Sequence, residues 1–254
     1  MSTAVVSVDD GRMPLMEHLR ELRNRIIKVV IALVIGMILG FLLYNRIFDI
    51  LVKPYVESSN SLAGGKLLVT DPLEGFAVRL KISLYAGIFF AMPVILWQLW
   101  RFITPGLYAH EKKYIVPFVM SALLLFGLGA GLAFWTLPQA LSWLQGIGGD
   151  NLVTAYQPSK YFQLIVYMML AFGVGFEFPI VIVFLEMVGI VSPKQLAHVR
   201  RYAWVGITVI VAVITPSGDP ISMLALSVPM VLFYEISIVV GRLIERRKTR
   251  PDPA

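Results

Sequence analysis

The chain of 254 residues contains no cysteine, only three histidines, and few charged residues of either sign, 15% in all. Without cysteine there is no disulfide, thiolate nucleophile, Cys-type zinc site or iron–sulfur cluster, while the redox compartment stays open. His18, His110 and His198 fall in three separate polar segments, and no two are spaced as metal ligands on one helix. Neither a Gly-x-Ser-x-Gly elbow nor a phosphate-cradling glycine loop occurs. No aspartate lies inside a stretch expected to be helix, so an intramembrane aspartyl protease lacks its acid pair. The sequence therefore predicts no enzyme, no metal and no cofactor, and energy for any work has to come from a partner or a membrane gradient.

What is present is apolar. Hydrophobic residues make up 57% of the chain and the mean hydropathy is +0.76, and the charged share falls well below the about 25% of soluble domains. The apolar residues arrive in long blocks separated by short charged or Pro/Gly-rich segments, which is the pattern of a bilayer-spanning chain. The net charge of +6 sits in clusters beside these blocks, so the basic residues read as topology signals and not as a nucleic-acid surface. The first apolar block is long and has no small-residue cleavage site after a short core, so it is expected to stay as an anchor.

The predicted fold class is all-α: a single transmembrane domain over 13–245 with six helices, preceded by a flexible N-terminus at 1–12 and followed by a basic cytoplasmic tail at 246–254. Pro14 suits a helix start, and Leu15, Leu19, Leu22 and Ile26 share one stripe, giving an amphipathic lead-in lying on the membrane surface. Crossings are expected at about 26–45, 77–100, 114–137, 160–188, 202–214 and 221–240. Residues 46–76 contain Lys53-Pro54, Ser58-Ser59-Asn60, Gly64-Gly65 and Asp71-Pro72 and read as a sizeable loop with one short helical turn. A second loop is expected at 138–159, and helix two is expected to kink near Pro93. Helix five spans only about 20 Å of a roughly 30 Å hydrocarbon core. Helix six is interrupted by Pro229 and Glu235, so both are expected to be short and to leave a concave, locally thinned face beside Glu177. The spacings Gly36/Gly40 and Gly127/Gly131 fit close helix approach, with ordinary packing as the first explanation.

Lysine and arginine set the orientation. With the N-terminus inside, inner segments hold Arg12, Arg20, Arg23, Arg25 and Lys28, then Arg101, Lys112 and Lys113, then Lys194, Arg200 and Arg201, then the C-terminal cluster. Outer segments hold only Arg46, Lys53, Lys66, Arg79, Lys81 and Lys160. Both termini are therefore expected in the cytoplasm.

Three carboxylates, Glu17, Glu21 and Glu111, stand on this basic inner face, where orientation does not explain them. The bland reading of Glu21 is an i,i+4 pair with Arg25, worth a few tenths of a kcal/mol, and that of Glu111 is a solvated charge beside Lys112. The functional reading is a carboxylate clamp for guanidinium groups, whose planar fork a carboxylate accepts bidentately. Glu177 is at mid-membrane, where an ionisable group costs roughly 2.5–3.5 kcal/mol on insertion scales. It is expected to face protein or water, as a structural carboxyl, a partner-helix contact or a proton site. Glu186 reads as an interfacial charge, with Glu235 intermediate.

The runs His18-Leu19-Arg20-Glu21-Leu22-Arg23-Asn24-Arg25, Pro93-Val94-Ile95-Leu96-Trp97-Gln98-Leu99-Trp100, Phe102-Ile103-Thr104-Pro105-Gly106-Leu107-Tyr108-Ala109-His110-Glu111-Lys112-Lys113 and Phe172-Gly173-Val174-Gly175-Phe176-Glu177-Phe178-Pro179 are ordered along the chain. Arg200-Arg201-Tyr202 and Thr215-Pro216 followed by Asp219 continue the series. Together they resemble the TatC family, the multi-spanning subunit of the twin-arginine protein translocase, over about residues 14–245. The resemblance implies a receptor for signal peptides bearing paired arginines, working in the cell membrane with single-span TatA/TatB-type subunits and through self-association to export folded precursors. It places arginine-pair recognition at Glu21 and Glu111, with Arg23, Phe102, His110, Lys112 and Lys113 nearby. It also places Glu177 on a concave membrane-embedded face, and Pro54, Pro93 and Asp219 at positions important for assembly or function. Two positions depart from the family's pattern. Met223 stands where a polar residue is frequent four residues after the outer aspartate, and Phe134 where helix three sometimes has tyrosine; both are candidate partner-helix contacts. The alternative from another class is a proton-coupled secondary transporter using Glu177, although no inverted repeat is visible.

Overall fold

The computed structural model describes residues 15–58, 67–69, 71–103, 115–147 and 156–248. Along the chain these form α1 (Leu15–Leu42), α2 (Tyr44–Ser58), α3 (Glu74–Ile103), α4 (Ile115–Ile147), α5 (Pro158–Phe176), α6 (Phe178–Val188), α7 (Pro193–His198), α8 (Arg200–Ile214) and α9 (Pro220–Lys248). The described residues contain no strand. In a bilayer an α-helix satisfies its own backbone, so an apolar chain with little charge has few other choices. Among the described residues, five stretches are long and apolar enough to cross: Met16–Leu42, Glu74–Ile103, Val116–Ile147, Pro158–Val188 and Pro220–Glu245. Large apolar side chains such as Ile27, Val34, Leu124, Leu128 and Val213 point outward, as lipid-facing residues do.

Several sequence expectations change. The amphipathic lead-in is not a separate element, because α1 is one helix of 28 residues, about 42 Å long, that carries both Glu21 and the first apolar run. The expected loop at 46–76 contains the 15-residue helix α2 rather than one turn. Its residues Tyr44, Ile47, Phe48, Leu51, Val52 and Tyr55 fall at helical spacing and pack inward, which outweighs Pro54. The loop expected from residue 138 begins later, since α4 continues through Pro138 to Ile147. Helix five is short, as expected: α8 has 15 residues, about 22 Å. Helix six is not short. It is the 29-residue α9, unbroken at Pro229 and Glu235, because a single proline deletes one backbone bond while the flanking apolar run keeps the rest of the ladder. The expected flexible segment 1–12 and tail residues 249–254 lie outside the described residues.

The helix in the fourth predicted crossing divides at Glu177, between α5 and α6. Pro179 supplies no N–H, and Glu177 itself stays in the right-handed helical region at φ −73°, ψ −19°, so the division is local and the two halves form one span. Gly189, at φ 82°, closes α6 in the left-handed conformation that glycine adopts most readily.

α1 packs on α3 through small residues. A Cβ on Gly36 would come within 2.7 Å of the Gly87 carbonyl, and one on Gly40 within 2.8 Å of both Ala86 Cβ and the Ser83 carbonyl. The spacing Gly36/Gly40 thus marks a true close approach. A Cβ on Gly127 or Gly131 would meet nothing within 4 Å among the described residues, and it is Gly129 between them that meets Phe172 and Gly173 of α5. The main core draws on α2, α3, α4, α5, α8 and α9, with Tyr55, Phe162, Phe172, Leu226 and Ile238 among its buried members, and a second cluster around Trp100, Phe126 and Phe184 fills the space between α3, α4 and α6. Tyrosine hydroxyls join elements at the edges: Tyr161 donates to the Leu51 carbonyl at 2.8 Å and Tyr234 to the Leu196 carbonyl at 2.8 Å.

Candidate functional site

Because α1 extends to Leu15 and lies along α3, its first turns stand beside the C-terminal end of α3. Glu21 there accepts from Arg25 Nη2, one turn on. Arg25 reaches across to α3, with Nη1 donating to Gln98 Oε1 at 3.3 Å and Nη2 to the Arg101 carbonyl at 3.1 Å. A cation at the end of α3 is also favoured by the helix dipole. The second oxygen of Glu21 lies 3.9 Å from His18 Nδ1, and the His18 ring stacks on Phe102 with centroids 4.4 Å apart. Beside this cluster opens a cavity of about 870 Å³ lined by Glu17, Arg20, Glu21, Arg25, Lys28 and Arg101, among others.

The structure thus brings Glu21 and Phe102 together through His18. Arg23 is exposed on the same helix and does not line the cavity. His110, Glu111, Lys112 and Lys113 lie outside the described residues. His18, Gln98 and the Arg101 carbonyl join the site without having been singled out; the Glu21–Arg25 spacing was readable, but the anchors on α3 depend on how the two helices pack.

At depth, Glu177 is half-buried at the α5–α6 junction and its Oε1 has no hydrogen-bond partner among the described residues. Phe134 and Met223 are partly buried against the main core. Asp219 is fully buried and caps α9: its Oδ1 accepts from the Ser222 amide at 2.7 Å and its Oδ2 from the Ser217 hydroxyl. Pro54 is buried in α2, whereas Pro93 is exposed within an unbroken α3. Glu235 pairs with Arg200 at 3.0 Å and accepts from Trp204 Nε1 at 3.3 Å, tying α9 to α8. The Glu186 carboxylate rests on Gly241 of α9, where any Cβ would collide with it.

The family model described as Sec-independent protein translocase protein (TatC) matches residues 17–229, which contain the Glu21 cluster, the Glu177 junction and the Asp219 cap. The chain belongs to the TatC family. Similar relatives include the TatC of Aquifex aeolicus, 41% identical over 93% of this chain and 98% of its own length, and that of Frankia casuarinae, 42% identical over 96% of this chain and 70% of its own. Among solved structures, a twin-arginine translocase receptor TatC crystallised in DDM is 39% identical with a TM-score of 0.73, covering 88% of this chain and 99% of that one. A second TatC receptor structure is 41% identical with a TM-score of 0.72, over 89% and 98%. TatC membership makes the chain a multi-pass membrane component of the Sec-independent protein translocase, and it displaces the solute-transporter reading of Glu177.

Proposed function

We propose that the chain is the receptor of its translocase, binding the paired arginines of signal peptides at the cytoplasmic rim, with Glu21 as one acceptor and Glu111 as the other. The observation that carries this is a carboxylate placed on a basic helix, beside an 870 Å³ cavity otherwise lined mostly by cations. Glu21, with Glu17 one turn before it, offers a guanidinium its favourable partners there, while Arg20, Lys28 and Arg101 keep the rim basic and discourage cations that find no carboxylate. Phe102, stacked under His18, offers an apolar plate to the residues flanking an arginine pair. Arg23, His110, Lys112 and Lys113 complete the rim in this reading, with both termini cytoplasmic and α8 as the sixth crossing. Glu177, Phe134, Met223 and Asp219 belong to the membrane-embedded side, where single-span TatA/TatB-type partners and further copies of this chain dock among the lipids, and Pro54 and Pro93 serve assembly. No catalytic step is involved.

The test is photo-crosslinking of a synthetic twin-arginine signal peptide to membranes containing the chain. Glu21→Gln is expected to lower the yield roughly ten- to a hundredfold, since a charge-assisted hydrogen bond is worth roughly 1.5–3 kcal/mol, and adding Glu111→Gln is expected to abolish it. Undiminished crosslinking in the double variant would sink the clamp.

A further inference from the structure

We propose that Arg25 is a resident guanidinium that occupies the Glu21 acceptor in the peptide-free protein and has to be displaced by an arginine of the incoming signal peptide, so that it sets the affinity threshold of the site. The inference rests on the reading of Glu21 as an arginine acceptor and adds how that acceptor is kept closed.

Both oxygens of Glu21 are already covered. Oε1 accepts from Arg25 Nη2, and Oε2 is buried with no hydrogen-bond partner among the described residues, 3.9 Å from His18, whose ring stacks on Phe102. An arriving guanidinium uses the carboxylate through its fork, so Arg25 must release Oε1, and His18 must turn if both oxygens are to be engaged. Arg25 is well suited to hold the place. Its side chain is 12% exposed against 26% for Glu21, and its Nη1 and Nη2 also donate on α3, to Gln98 Oε1 and the Arg101 carbonyl. A free i,i+4 pair on a helix surface would be weak; anchoring the guanidinium from a second helix removes much of the side-chain freedom that makes such pairs weak. Once released, Arg25 keeps its two acceptors on α3 and borders the open cavity, so displacement requires no change in the packing of α1 on α3.

The consequence follows from linkage. When the binding-competent state is only fractionally populated, the apparent affinity falls by that fraction. The displacement step is the same for every peptide that uses Glu21, so it cancels in a ratio of two peptides. Arg25 therefore raises the threshold equally for Arg-Arg and Lys-Lys peptides, while preference between them stays with the geometry of the fork.

The experiment measures the Kd of a fluorescent synthetic signal peptide with an Arg-Arg pair, and of its Lys-Lys counterpart, for the detergent-solubilised full chain and its variants. Arg25→Gln is expected to tighten both peptides by roughly three- to tenfold with their ratio unchanged. Gln98→Leu, which frees one anchor but leaves Glu21 and Arg25 in place, is expected to tighten both by a smaller factor, and it carries the test alone if Arg25→Gln fails to fold. Weaker binding, or unchanged binding, in the folded variants overturns the proposal, because Arg25 would then support Glu21 or be irrelevant to it. A changed Arg-Arg to Lys-Lys ratio also overturns it, since Arg25 would be reading the peptide directly. Binding that stays at the wild-type level in Glu21→Gln defeats the reading of Glu21 as an arginine acceptor, whereas Glu21-dependent binding with no tightening defeats only the threshold.

Discussion

Glu21, part-exposed beside the cavity, and Asp219, fully buried, are both acids held by neighbouring groups, and their partners separate their roles. Asp219 has no cation beside it in the hydrogen bonds it makes; its two oxygens are taken by the Ser222 amide and the Ser217 hydroxyl at the start of α9. An N-cap carboxylate satisfies an orphan donor and complements the positive end of the helix dipole. Asp219→Ala is accordingly expected to destabilise the protein by about 1–2 kcal/mol, and Asp219→Asn, which keeps the acceptor, to recover most of that loss in thermal unfolding of the detergent-solubilised chain. Equal loss in both variants would mean that charge rather than capping matters there. Asp219-Pro220 before an apolar run is a readable helix start, so this function was present in the local sequence. The Glu21 site was legible only in part: Arg25 follows from spacing, but its bonds to Gln98 and the Arg101 carbonyl cross 73 and 76 residues of chain.

At the scale of elements, apolar blocks located the spans but breakers misplaced their ends. Pro138 and Pro229 sit inside α4 and α9, because a bilayer offers an interrupted helix no water to unravel into and the remaining bonds hold it. α2 was hidden in the same way by Pro54, although its stripe from Tyr44 to Tyr55 repeats at helical spacing. Glycines show the complementary limit: a small-xxx-small spacing says that close approach is allowed, not that it occurs. Gly36 meets Gly87 on α3, while Gly131 meets nothing among the described residues. Gly36→Leu or Gly87→Val is therefore expected to push α1 off α3 and destabilise the protein by about 1–3 kcal/mol or more. Gly131→Ala is expected to leave unfolding unchanged. The comparison is read from melting curves of the three variants in one detergent, and equal curves would refute a tight α1–α3 seam. Because the Arg25 anchors sit at one end of that seam, the two seam variants are also expected to weaken signal-peptide binding.

For the whole molecule the open quantity is the parity of crossings. Among the described residues five stretches are long enough to span, and five alone would leave the two ends of the chain on opposite sides. α8, at about 22 Å, falls short of a roughly 30 Å core, yet it is tied to α9 by Arg200–Glu235 and Trp204–Glu235 and ends at the buried Thr215 and Asp219 turn. If the bilayer thins around it, α8 makes a sixth crossing and the ends share a side, which agrees with the lysine and arginine bias of the inner segments. The chain has no native cysteine, so single substitutions report cleanly. Met16→Cys, Lys194→Cys and Arg242→Cys, all exposed positions, are expected to react with a membrane-impermeant maleimide only after the membrane is opened. Asp71→Cys, exposed at the other end of α3, is expected to react in intact cells. Labelling of Arg242→Cys from outside with Met16→Cys protected would make α8 a re-entrant helix and the chain a five-span protein, and its basic C-terminal end would then stand against the charge rule.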